Sequence, residues 1–274
     1  MRTLKIQLLG LVLLFLLTQV LGVCLAYIVG LIIGCGDNFD EVMKHPDMMS
    51  LSLILSNVLL CVALFLFRWY HRESFRLRGL RTKDFIAVCM LMLPVIFIVN
   101  VLIELFNAED LTKDSILQLA YHPLGIVAIV LIGPFAEELL FRMECMNLFL
   151  KNGQTPLMAI VWSSLVFGAV HGNPPQILGG VLIGFILGWL YWKSKSIWVP
   201  FAAHFFNNLV GLMLIWFCGD EEVTLQGVSG STLNLCLLIL FSIAVACCLF
   251  LYLNKRFTSN ITDEKVRDND GGRF

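Results

Sequence analysis

The stretch Ser115–Arg142, SILQLAYHPLGIVAIVLIGPFAEELLFR, decides the fold class. Its first part, Ser115–Ala136, carries no Asp, Glu, Lys or Arg and is long enough to cross a bilayer as a helix. It ends abruptly in two carboxylates, Glu137 and Glu138, followed four residues later by Arg142. A charge inside a membrane is costly and is retained only where a partner or a function supports it.

The rest of the chain repeats the apolar theme. Of 274 residues, 58% are hydrophobic and 14% charged, well under the quarter or so that covers a soluble surface. Mean hydropathy is +0.84. Uncharged runs predict eight spanning helices: residues 6–34, 48–67, 85–103, 115–136, 155–170, 176–192, 196–218 and 232–254. The expected fold is therefore all-α, a polytopic bundle of about eight transmembrane helices. The first run is too long for a cleavable signal peptide and reads as an uncleaved anchor. Expected divisions are 1–114 (three N-terminal helices), 115–218 (a polar-bearing core), 219–254 (a last helix) and a disordered tail at 255–274.

Charge placement predicts orientation. Every Lys and Arg except Lys44 and Lys113 falls at the N-terminus, in 68–83, in 142–151, at Lys193 and Lys195, or from Lys255 onward. The intervening loops, 37–47, 104–114 and 220–222, are acidic. By the positive-inside rule both termini face the cytoplasm. Trp69, Trp192, Trp198 and Trp216 fall at predicted membrane boundaries, where indole rings settle. Nine cysteines form no CxxC pair or Cys/His cluster, and most sit in spans as small apolar residues.

Polar groups break the apolar pattern in the core at Glu137/Glu138 with Arg142, at His171, at His204 and at Asn207/Asn208. Glu138 and Arg142, four apart, share a helix face and can pair. Glu137 is rotated about 100° away and is left for another task. Residues 151–154 form a tight turn, from which Glu137 and His171 lie at depths differing by about 5 Å. Phe167 sits one turn before His171. His204 and Asn208 are again four apart, and both side chains can donate to a developing oxyanion. The Gly180, Gly184, Gly188 stripe reads as a close-packing surface rather than a phosphate loop.

Glu137-Glu138-xxx-Arg142, Phe167-xxx-His171 and His204-xxx-Asn208 together resemble the three motifs of the CPBP family of intramembrane proteases, which includes the CAAX prenyl endopeptidases. The resemblance covers about residues 115–218. It implies that Glu137 and His171 activate a water, that His204 and Asn208 line an oxyanion hole, and that Glu138, Arg142 and Phe167 support the site. It also implies a peptide or protein substrate, lipidated or membrane-anchored, membrane lipid as a further partner, and the plasma membrane of a bacterium. Nucleic acid is not an expected partner. Two alternatives concern the cofactor: none, or Zn²⁺ held by Glu137, His171 and His204, with a water in the fourth position. The same polar groups also suit a transporter or a non-catalytic peptide-binding scaffold.

Overall fold

The computed structural model describes residues 2–67, 72–77, 79–218, 227 and 229–270. The chain is a multi-pass, all-α membrane protein, with no strand among the described residues. Its helices are α1 (Arg2–Ile33), α2 (Phe39–Lys44), α3 (Pro46–Leu66), α4 (Thr82–Phe106), α5 (Lys113–Ala120), α6 (Pro123–Lys151), α7 (Pro156–Ala169), α8 (Pro174–Ser194), α9 (Trp198–Cys218) and α10 (Thr232–Asp270).

Seven of these are long and apolar enough to span a membrane, against the eight expected: α1, α3, α4, α6, α8, α9 and the 232–258 part of α10. The exception is α7, whose 14 residues rise only about 21 Å, less than a hydrocarbon core of about 30 Å. The fourth span also begins later than predicted. His122 precedes Pro123, and a residue before proline is pushed out of the helical region. His122 accordingly takes φ −107°, ψ 127°, closing the short α5 and starting α6 afresh. The tail expected to lack structure from 255 continues α10 to Asp270. Trp69 and the acidic loop 220–222 lie outside the described residues.

Contacts gather the chain into two compact units, each assembled from separated stretches: Met1–Tyr70, Asp110–Ser163 and Asn208–Asp220 form the first, the remainder the second. In the first, α1 lies closely along α3. A Cβ at Gly22 would come within 2.5 Å of the Ser56 backbone nitrogen, so only glycine permits this approach. The outward side of α1 stays apolar, with Leu9, Leu13, Leu17 and Val20 all exposed, as a lipid-facing helix requires. The end of α9 is tied to the α5–α6 corner by Trp216 Nε1 donating to the Ala120 carbonyl at 2.8 Å.

In the second unit, α4 packs against α10 and α8. Asp84, 1% exposed, is satisfied at the start of α4 by the Arg81 backbone N–H at 2.8 Å and by the Arg256 Nε and Nη2 at 2.9 and 3.0 Å. That bidentate grip, with buried Phe257 beside it in sequence, anchors the first turn of α10 past the predicted boundary. Trp189 stacks on Phe250 at 4.2 Å between ring centroids. Ser74 bonds the Tyr191 hydroxyl at 2.8 Å.

Candidate active site

The first unit holds the carboxylates on a helix that is not regular. Within α6, Ala128–Ile132 and Leu139–Met146 are wound as π-helix, flanking a short α-helical piece, Gly133–Glu138. The first widening follows from Pro134. The Gly133 N–H reaches back five residues to the Ala128 carbonyl, and Pro134 has no N–H to offer the next carbonyl, that of Ile129. Asn208 serves that carbonyl instead, its Nδ2 donating at 2.8 Å. One amide hydrogen of Asn208 is thus committed to backbone repair, a duty not apparent from its spacing to His204.

Glu138 and Arg142 meet as the four-residue spacing predicts, with Nε 3.0 Å from Oε2 and both side chains fully buried. The contact is an ion pair rather than an aligned hydrogen bond. Ser163 of α7 braces it: its Oγ donates to the Phe141 carbonyl at 2.7 Å and lies 3.5 Å from Arg142 Nη1. Glu137, rotated off this face, is half-buried.

The second unit holds the aromatic residues of the site. Phe167, 2% exposed, is met edge-on by two imidazoles: His171 at 5.0 Å and 89°, His204 at 5.7 Å and 86°. His171 lies just beyond the end of α7, before Gly172 at φ +67°. Its Nδ1 is 2.8 Å from the Phe167 carbonyl. A carbonyl only accepts, so Nδ1 carries the hydrogen and, in the neutral ring, Nε2 keeps the lone pair. The ring is therefore fixed in one tautomer. His204 is 4% exposed on α9.

The glycine stripe of α8 makes room for this cluster, as read from the sequence. A Cβ at Gly184 would stand 3.0 Å from Phe167 Cδ1, and one at Gly180 would stand 3.0 Å from Gly168 Cα and 3.6 Å from His171 Nδ1. At Gly168 it would meet Val181 Cγ2 at 2.5 Å and the Ile177 carbonyl oxygen at 2.7 Å.

The expected residues thus divide by unit. Glu137, Glu138, Arg142 and Asn208 belong to the first; Phe167, His171 and His204 belong to the second. The Zn²⁺ donor set divides likewise, and within neither unit do three His, Cys, Asp or Glu among the described residues converge to hold a metal ion.

Three polar features escaped the sequence reading. Ser163 is one, an unremarkable serine until its position beside Phe141 is known. The second is His122, whose Nε2 lies 2.9 Å from Asp47 Oδ1 and whose Nδ1 lies 3.2 Å from Ser50 Oγ. Its signal was the His-Pro pair at a helix start. The third is Glu144, assigned by its neighbours to a membrane-boundary segment, yet with its Oε1 buried.

A family model described as "Type II CAAX prenyl endopeptidase Rce1-like" matches residues 119–210, the stretch that contains every motif residue above. A curated protein of Bacillus subtilis (strain 168), named "Putative membrane peptidase YdiL", is 33% identical over 86 residues, which is 31% of this chain. The match spans 35% of that relative's length. No solved structure matches the chain. The π-wound glutamate helix and the two imidazoles fall inside the stretch that is similar to this family of endopeptidases.

Proposed function

We propose that the chain is an intramembrane endopeptidase of the CAAX-protease-like type, hydrolysing a peptide bond with a water activated by Glu137 and His171. The observation that carries this reading is the fixed His171 tautomer. With Nδ1–H held by the Phe167 carbonyl, Nε2 is the acceptor that a water-activating imidazole needs. Glu137 takes the water's proton as the oxygen attacks the carbonyl carbon, and returns it to the leaving amine. His204 and the second amide hydrogen of Asn208, one turn apart on α9, donate to the oxyanion. Glu138 and Arg142, locked together and braced by Ser163, hold the helix segment that presents Glu137.

The substrate in this reading is a lipidated or membrane-anchored peptide, in the plasma membrane of a bacterium, with both termini of the chain in the cytoplasm. The test is product analysis in proteoliposomes carrying wild-type protein, Glu137→Gln or His171→Ala. Both variants should abolish cleavage while keeping peptide binding, and His204→Ala should lower turnover by about 10²–10³. Cleavage that survives Glu137→Gln would refute the mechanism. Glu137-dependent proton flux without any product would favour a transporter.

A further inference from the structure

A groove of about 510 Å³ in the first unit lies between the start of α1 and the end of α6, and none of the proposed catalytic residues lines it. Its apolar walls include Gly10, Leu11 and Leu148, and its polar groups are Gln7, Glu144, Lys151 and Asn152. Glu144 Oε1 is buried there and has no hydrogen-bond partner among the described residues. Such a group costs free energy unless something supplies a donor, so the groove calls for an occupant.

Three properties of the groove define that occupant. It must present an N–H donor, and preferably a cation, to Glu144. An anion on it would lie near Lys151, which stands seven residues further along the same helix and acts electrostatically on Glu144. It must also be apolar below, because Leu11 and Leu148 line the wall and Ile6, Leu9 and Leu13 are exposed along α1. The groove sits where one spanning helix begins, at Leu4, and another ends, at Lys151, which is headgroup level. We propose that it binds a phospholipid with a primary-amine headgroup, phosphatidylethanolamine. The ammonium donates to Glu144, the phosphate lies by Lys151, and an acyl chain follows Leu11 and Leu148.

The test is native mass spectrometry of the full chain in mild detergent. The protein is offered an equimolar mixture of phosphatidylethanolamine, phosphatidylcholine and phosphatidylglycerol with matched acyl chains. Phosphatidylcholine has the positive charge but no N–H, so it separates hydrogen bonding from charge alone. Phosphatidylethanolamine should be retained about tenfold above the other two, the factor expected of one charge-assisted hydrogen bond. Glu144→Gln should remove that preference. Gly10→Leu offers an independent check: Gly10 lines the groove, and a Cβ there meets nothing within 4 Å. It should displace the lipid while Glu144 stays intact. Equal retention of the three lipids would overturn the proposal and leave a buried water as the partner of Glu144. So would an unchanged preference in Gly10→Leu, or equal competition by water-soluble glycerophosphoethanolamine. None of these readouts depends on hydrolytic activity.

Discussion

Replacing Glu138 by Gln keeps the shape of the side chain and removes its charge. In the native protein Glu138 and Arg142 are both fully buried and 3.0 Å apart. The variant leaves a guanidinium inside the first unit facing a neutral amide. Breaking a buried pair from one side costs about 3–5 kcal/mol, because the surviving charge has lost both water and its counter-ion. At about 2–4 °C per kcal/mol for a chain of this size, the melting temperature should fall on the order of 10 °C. Arg142→Met alone should fall by a similar amount. The double variant, with neither charge present, should recover most of the loss, since a buried ion pair and an apolar replacement of like volume are often close in stability. Thermal unfolding of the purified protein in detergent measures all four states of the cycle. An unchanged melting temperature for Glu138→Gln, or a double variant that loses the sum of the two singles, would refute the account of the pair.

The remaining predictions concern backbone repair and helix packing. Asn208→Ala should cost about 1–3 kcal/mol by orphaning the Ile129 carbonyl, and the loss should shrink in a Pro134→Ala background, where residue 134 regains an N–H; equal losses in both backgrounds would disconnect Asn208 from the π-helical turn. Gly168→Ala should destabilise by about 1–3 kcal/mol, because its Cβ would stand 2.7 Å from the Ile177 carbonyl oxygen, a backbone atom that cannot step aside. Gly211→Ala, with nothing within 4 Å, should instead stabilise α9 by about 0.5–1 kcal/mol, and the opposite order of the two melting temperatures would count against this packing.

What the sequence alone determined is what local spacing encodes. Uncharged runs establish an all-α membrane protein, because an uncharged stretch of that length buries its own hydrogen bonds only as a helix. The four-residue step from Glu138 to Arg142 dictates their pairing, since neighbours one turn apart on a helix have no other geometry to choose. The glycine stripe of α8 likewise announced a close approach, and the tight turn at 151–154 appears as read, with Gly153 at φ +81°. Tertiary structure decided what depends on groups far apart in the chain. Asn208 and Ile129 are 79 residues apart, and Ser50 and His122 are 72 apart; no periodicity records either bond. The first π-wound turn arises where a proline withholds an N–H and a distant amide replaces it, so neither residue predicts it singly. The fixed ring of His171 depends on the backbone carbonyl at the end of α7, whose shortness was hidden by the apolar residues around it. Glu144 looks from its neighbours like a boundary charge, and only the packing of α1 against the end of α6 buries it.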